Sequence, residues 1–220
     1  HRTLGCFVNF SADWLEPGRI LYGNRAAVAL GELDGSMSDR LREMHSLFSL
    51  VEPDAVMTDN IWGYLWGKMG YGSLLFATAL TPESMSDAMD TTEHRCVYAA
   101  LGGEVMQLAA AEEVEPLGFN GFDPEAFRTG NASRIDQSID AMVAHNRKTA
   151  KTHSGIYRDL AVRKRKTEVD AQIGILVEIG AQHGIRTPAL ARLYQLILDI
   201  ESDRREQSSQ LLDLMVTSCS

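Results

Sequence analysis

The stretch that decides the fold spans residues 59–80 and reads DNIWGYLWGKMGYGSLLFATAL. At about twenty residues, its apolar part is long enough to suggest a membrane span. Lys68 lies near the middle, however, where a cation costs roughly 2.5–3.5 kcal/mol in hydrocarbon, and glycines stand at positions 63, 67, 70 and 72. We therefore predict a buried helix of a soluble protein, with a functional role for its single lysine.

The sequence pattern changes at this helix from short β-rich runs to helical periodicity. Upstream, the β-rich runs alternate with turn signals such as Pro17-Gly18, which predicts the closing strands of a sheet. One helix is predicted among them, behind a cap at Ser36. The predicted strands are residues 6–12, 19–22, 26–30 and 51–57. We place a domain boundary between residues 58 and 59, and we expect residues 59–220 to be all-α.

Five helices are predicted in this second domain from apolar residues at helical spacing. Two of them carry strong start signals, because Thr167 and Asp170 can form a capping box and Thr187 precedes a first-turn proline. The predicted helices cover residues 59–80, 90–113, 133–150, 168–183 and 188–202, with a Pro/Gly-rich loop at 116–124. The tail from 203 to 220 can extend the last helix or stand apart from it.

The composition and charge restrict the binding partners and the cellular compartment that we expect for the protein. The formal net charge of −9 and the pI near 5.1 argue against a nucleic-acid or anionic-membrane surface, because both would repel an acidic protein. Three cysteines, Cys6, Cys96 and Cys219, lack paired spacing and favour reduced thiols in the cytoplasm. The six histidines form no H-x-H or H-E-x-x-H motif, and no metal is predicted.

Lys68 is the first candidate for chemistry. A solitary cation in an apolar, glycine-rich helix needs a ligand, a carboxylate or a cavity to face, and desolvation would lower its pKa toward the range of a general acid. The alternative is a lysine that extends along the helix to water. The glycines around it admit two interpretations as well, since they can let a flat cofactor approach or serve helix packing alone.

Glu168 and the residues before it form a second candidate region. Glu168 stands at the start of a capped helix, where its charge either has a functional partner or only complements the helix dipole. The segment HSGIYRD at 153–159 is rich in hydrogen-bonding groups, and the cations at 163–166 follow it. Four adjacent cations are typical of a solvated loop, but they can also form an anion site beside a helix N-terminus.

Three separated segments together resemble the ketopantoate reductase (2-dehydropantoate 2-reductase) family. The first is the strand and turn pattern around PGR at 17–19, and the second is LWGKM at 65–69. The third and most specific combines the loop 154–159 with RKTEVD at 165–170 and HGIRTP at 183–188. Order and spacing agree with the family, and the resemblance covers nearly the whole chain.

The resemblance implies an α+β fold and an enzymatic function. Residues 1–58 would be the remnant of a Rossmann-type NADP-binding domain, and residues 59–220 an all-α domain for substrate binding and dimerisation. The implied activity is the NADPH-dependent reduction of a 2-keto acid, 2-dehydropantoate or a related compound, to the 2-hydroxy acid. The resemblance further implies a cytoplasmic homodimer that acts in pantothenate biosynthesis. The reaction would take place between the two domains.

The resemblance also assigns roles to individual residues. Lys68 would be the general acid that protonates the carbonyl oxygen, and Glu168 would border the cofactor. Ser11 or Ala12 would lie where the family's later strands touch the nucleotide. Ser154 would bind the substrate, although the family serine can instead align with Gly155, because the stretch up to Glu168 is one residue longer than usual.

Two departures from the family concern the substrate. Asparagines that hold the substrate follow the family lysine by four and eight positions, and here those positions are Gly72 and Phe76. Their loss predicts a less polar substrate and a kcat/KM for ketopantoate lower by about 10²-fold, since each lost hydrogen bond to a charged partner is worth roughly 1.5–3 kcal/mol. The alternative is that Ser73, His153 or Tyr157 supplies the missing polar groups.

A further departure concerns the cofactor. The chain has no G-x-G-x-x-G motif, and it begins with His1, so we expect a truncated enzyme. This 220-residue chain should then bind NADPH very weakly, because pyrophosphate binding rests on that loop and the helix N-terminus behind it. Calorimetric titration tests this, and micromolar affinity would contradict it.

A second hypothesis from another class is that the chain is a non-catalytic helical binding or dimerisation module. The upstream reading frame separates the two hypotheses. A strand followed by G-x-G-x-x-G favours the reductase, whereas a native start at or just before His1 favours the module.

Overall fold

The computed structural model describes residues 2–10, 12–22 and 27–216 and has the predicted α+β architecture, with strands only in the first part of the chain. The strands are β1 (Gly5–Val8), β2 (Ala12–Glu16), β3 (Arg19–Tyr22), β4 (Val28–Gly31) and β5 (Val56–Met57). The helices are α1 (Asp39–Phe48), α2 (Ile61–Thr78), α3 (Met85–Asp90), α4 (Arg95–Ala111), α5 (Pro124–Thr129), α6 (Ala132–Arg147), α7 (Gly155–Ala161), α8 (Ile175–His183), α9 (Pro188–Glu201) and α10 (Ser209–Val216).

The chain divides into two compact units. The first comprises residues 1–65 with 149–151, and the second comprises residues 66–148 with 152–220. The division falls inside α2, whose first turn belongs to the first unit.

The first unit contains a small mixed sheet and a separate hairpin. The sheet order is β1-β4-β5, with β1 antiparallel and β5 parallel to β4, and β2 pairs with β3 alone. The interior of the first unit is apolar, and its fully buried residues include Phe7, Leu30, Leu41 and Ile61. β1 alternates between buried and at least partly exposed residues, whereas the central strand β4 is buried at all four positions, and both contribute to this core.

Three details of the first unit differ from the prediction. The run 6–12 is not one strand, because β1 ends at Val8 and β2 turns away to form the hairpin. The run 51–57 is paired only over its last two residues, because turn hydrogen bonds such as Ala55 N–H to the Glu52 carbonyl occupy the rest. Ser38, not Ser36, caps α1, since its hydroxyl accepts from the Leu41 amide.

The second unit is all-α and has one large apolar core. Leu74, Phe76 and Ala77 of α2 are fully buried in it, together with residues from α4, α6 and α9. Helix α4 packs against both α5 and α9. Because apolar side chains cover nearly every face of α2, this helix is surrounded on most sides.

The helix bounds in the second unit differ from the prediction at several points. The predicted helix 90–113 starts only at Arg95, after the separate helix α3 and a 3₁₀ turn at Thr92–His94. Helices α5 and α7 were not predicted, because they are six and seven residues long and too short to show periodicity. The predicted helix 168–183 begins with a π-helical turn at Asp170–Gly174 that continues into α8.

The start of α9 is capped by a residue that the sequence did not reveal. Thr187 makes no side-chain capping bond, contrary to the prediction. Instead, the carboxylate of Glu104 on α4 accepts hydrogen bonds from the backbone amides of Ala189 at 2.8 Å and Leu190 at 2.9 Å. Burial raises the pKa of Glu104, although the two amide bonds favour its charged form. A buried carboxylate from another helix thus satisfies the first amides of α9.

Within residues 2–10, 12–22 and 27–216, no helix is long and apolar enough to cross a membrane.

Candidate functional site

Helix α2 leaves one narrow stripe uncovered in the second unit. Lys68 on this stripe is exposed, and Gly72 and Leu75 are partly exposed. These positions follow the i, i+4, i+7 spacing, so their side-chain directions share one face of the helix. The expectation that Lys68 is desolvated by its apolar neighbours is therefore wrong for this chain, because those neighbours point to the other faces of α2.

The glycines of α2 fall into two groups. A side-chain carbon added at Gly67 would lie 2.0 Å from the Leu117 carbonyl oxygen, and one at Gly70 would lie 2.7 Å from the Phe122 ring. Both glycines therefore serve close packing. At Gly72 the same carbon would meet the side-chain oxygen Oε1 of Gln172 at 3.7 Å, apart from its chain neighbours and the nearby backbone of α2. A side-chain carbon at Gly72 would make only an ordinary van der Waals contact, so close packing does not require glycine there.

This difference predicts opposite effects of alanine at two positions of one helix. Gly67→Ala should lower the free energy of unfolding by about 1–3 kcal/mol, because the Leu117 backbone must shift. Gly72→Ala should raise it by about 0.5–1 kcal/mol, because alanine fits and is the better helix former. Urea unfolding of the two variants measures both changes, and changes of the same sign would contradict the assignment.

The side chain of Gln172 connects Glu168 to the surface that carries Lys68 and Gly72. The Gln172 side-chain nitrogen Nε2 donates to the Glu168 carboxylate at 2.7 Å, and its oxygen Oε1 faces Gly72. Glu168 is exposed and Gln172 is partly buried. The structure thus brings together the predicted residues Glu168 and Gly72 by way of a residue that was not predicted. The i, i+4 spacing of Glu168 and Gln172 was the available signal.

The π-helical turn that carries Gln172 packs against α9. The Tyr194 hydroxyl of α9 donates to the Asp170 carboxylate at 2.6 Å, which raises the pKa of Tyr194. A side-chain carbon at Gly174 would lie 3.3 Å from the Tyr194 ring. The turn is therefore packed closely against α9. π-Helical turns occur frequently at functional sites.

Other predicted site residues lie elsewhere. Ser154 is 2% exposed, and its hydroxyl accepts from the Tyr157 amide at 3.1 Å and so caps α7. Ser73 is fully buried, and its hydroxyl donates to the Gly70 carbonyl at 2.7 Å. Phe76 lies in the core, away from the stripe that carries Lys68. Ser11 lies outside the described residues.

The cations at 163–166 are partly engaged in local ion pairs. Arg163 and Arg165 both contact the Asp159 carboxylate, at 2.8 and 2.9 Å. Burial opposes the ionisation of Asp159, but the hydrogen bonds from the two arginines outweigh it and hold its pKa below the ordinary value. This arrangement favours the interpretation as a solvated loop over that of an anion site.

No cluster of three or more histidine, cysteine or acidic side chains suited to a metal ion occurs among the described residues.

The fold and the site define an α+β protein whose helical unit presents a lysine, an open glycine and a glutamine-bound glutamate on one surface. The sequence profile of the ketopantoate reductase PanE/ApbA C-terminal family matches residues 60–201. Because this match covers more than half of the chain, the chain belongs to that family. The family predicted from the sequence is confirmed.

Individual relatives agree with this assignment. The 2-dehydropantoate 2-reductase of Vibrio cholerae serotype O1 is 28% identical over 137 residues, which is 62% of this chain and 40% of that protein. The solved structure of D-mandelate dehydrogenase with NADH and anilino(oxo)acetate matches with a TM-score of 0.71 and 19% identity, over 88% of this chain and 58% of that one. The dimeric ketopantoate reductase of Staphylococcus aureus matches with a TM-score of 0.64 and 19% identity, over 92% and 63%.

At 19% identity, the two solved structures support the fold of this chain and not its function. The predicted fold class, strands of a Rossmann-type domain followed by an all-α domain, is confirmed. The chain spans between about two fifths and two thirds of the lengths of the proteins that it matches.

Proposed function

We propose that this chain contributes the helical, substrate-binding part of an NADPH-dependent reductase that converts a 2-keto acid, 2-dehydropantoate or a related compound, to the 2-hydroxy acid. The observation that carries the proposal is the surface shared by Lys68, Gly72 and Glu168. It combines an exposed cation, a partly exposed glycine that is not closely packed and an exposed carboxylate within one helical unit. Membership of the ketopantoate reductase family supports the reaction class.

The proposed roles follow from the chemistry of these groups. The Lys68 ammonium donates a proton to the carbonyl oxygen of the substrate, and its charge stabilises the negative charge that develops there. Gly72 lies one helical turn from Lys68 on the same face, so the substituent of the keto acid would lie over a glycine that has no side chain. Ser154 would contribute to the site indirectly, by capping the start of α7.

A nicotinamide cofactor suits the groups present. Glu168 is exposed, and a carboxylate accepts hydrogen bonds, as the hydroxyl and carboxamide donors of such a cofactor require. When bound, the cofactor supplies the hydride. We propose NADP as the form used. The NADH complex of D-mandelate dehydrogenase supports a nicotinamide in general.

The proposal extends to assembly and location. The dimeric state of the Staphylococcus aureus enzyme supports a homodimer, which light scattering measures directly. The unpaired spacing of the cysteines supports the cytoplasm, where thiols stay reduced.

The deciding experiment is a reductase assay of the full-length protein. It measures oxidation of NADPH and of NADH in the presence of ketopantoate, pyruvate and bulkier 2-keto acids. We expect turnover of at least one acid, with a higher kcat/KM for NADPH than for NADH. Turnover of none of them would contradict the proposed function, and a preference for NADH would contradict only the choice of cofactor.

A further inference from the structure

One polar side chain approaches the Gly72 position. Apart from the chain neighbours of Gly72 and the nearby backbone of α2, the described atom that comes within 4 Å of a side-chain carbon placed there is Gln172 Oε1, at 3.7 Å. Ser73, one of the candidates for a compensating polar group, is fully buried and donates its hydroxyl to the Gly70 carbonyl. His153, another such candidate, contacts the Pro82 carbonyl at 3.1 Å. Gln172 is the polar side chain that the structure places in contact range of the Gly72 position.

The orientation of the Gln172 amide follows from its partner. Glu168 accepts a hydrogen bond from it, and a carboxylate can only accept. The amide nitrogen must therefore face Glu168, as it does at 2.7 Å, and the amide oxygen must face Gly72. The group that faces Gly72 is a hydrogen-bond acceptor.

An acceptor discriminates among the parts of a 2-keto acid. The carboxylate and the carbonyl oxygen are acceptors themselves, so the Gln172 oxygen repels them, whereas the Lys68 ammonium attracts both. The keto acid head is thus favoured at Lys68, and the side chain of the substrate is directed toward Gly72. A side chain with a hydroxyl group can donate to the Gln172 oxygen, but a hydrocarbon side chain leaves that oxygen without a partner once water is displaced.

We propose that Gln172 is a specificity residue that selects 2-keto acids bearing a hydroxyl group on the side chain. The proposal rests on the proposed function. It differs from the sequence-based expectation of a less polar substrate, and it assigns the compensating polar contact to a residue other than Ser73, His153 or Tyr157. The π-helical turn between Asp170 and Gly174, packed on Tyr194, keeps the amide in place. A preorganised acceptor discriminates better than a mobile one.

The test compares two substrates that differ only in the hydroxyl group. Ketopantoate has it, and trimethylpyruvate has the same carbon skeleton without it. We expect the full-length protein to have the higher kcat/KM with ketopantoate, and Gln172→Met to lower the ratio of the two kcat/KM values by about 2- to 10-fold, the range for one neutral hydrogen bond. Because the ratio cancels effects common to both substrates, a change in cofactor binding through Glu168 does not alter it.

The chain offers a matched control in Gln195, an exposed glutamine of α9. Its side chain donates to Asp199 at 2.9 Å with the same i, i+4 spacing. Gln195→Met should leave the ratio unchanged. Gln172→Leu repeats the measurement if the methionine variant does not fold.

The possible outcomes separate this inference from the function on which it rests. An active wild type whose ratio falls in the Gln172 variant and not in the Gln195 variant supports the inference. An active wild type without preference for ketopantoate, or with a ratio that Gln172→Met does not change, overturns the inference and leaves the reductase function standing. A wild type that reduces none of the keto acids overturns both.

Discussion

Replacing Lys68 by Ala should lower kcat of the full-length protein by about 100-fold or more, the loss expected for a positioned general acid. The substitution removes the only cation that α2 presents beside the open position at Gly72. Since Lys68 is exposed, the fold should be almost unaffected. Steady-state kinetics with the best keto acid, combined with thermal unfolding, measures both effects.

A second exposed lysine provides the control for that substitution. Lys148 is exposed just after α6, and Lys148→Ala should retain near-normal kcat. Near-normal turnover of the Lys68 variant would show that another group protonates the substrate. A large loss of stability would instead show that Lys68 has a structural role.

Replacing Glu104 by Ala should lower the free energy of unfolding by about 3 kcal/mol, because two buried amides lose their acceptor and each costs about 1–3 kcal/mol. The affected amides belong to Ala189 and Leu190 at the start of α9. Removing the carboxylate also leaves a void between α4 and α9. Urea unfolding followed by circular dichroism gives the change.

Two further variants test the explanation for Glu104. Glu104→Gln keeps the volume and one acceptor, so its loss should be smaller than that of the alanine variant. Glu178 is an exposed glutamate of α8, and Glu178→Ala should change stability by less than about 0.5 kcal/mol. If the Glu104 and Glu178 variants were equally stable, the contact with α9 would contribute nothing measurable.

Much of the helical unit could be predicted because its signals are local. The core positions of α4, α6 and α9 follow a period of 3.6 residues, which periodicity detects directly. The ends of the helices were less predictable from the sequence. Ser36 and Ser38 both stand near the start of α1, and the structure shows that Ser38 is the cap. Short helices such as α5 carry too few residues for any period.

The candidate site was predictable in part for the same reason. Lys68 and Gly72 lie one turn apart on one helix, so the sequence alone places them on the same face. Their exposure did not follow, because an apolar helix shows no preferred open side. Glu168 could be named as a candidate, but its approach to Gly72 depends on how the π-helical turn packs on α9.

By itself, the sequence determined the α+β class, the position of the main helices and the family of the chain, since periodicity, caps and motifs are properties of neighbouring residues. Only the tertiary structure decided which face of α2 stays open, that Gln172 borders Gly72 and that Glu104 caps α9. Glu104 and Ala189 are 85 residues apart in the chain. Contacts over such separations depend on the packing of whole helices, which no local pattern encodes.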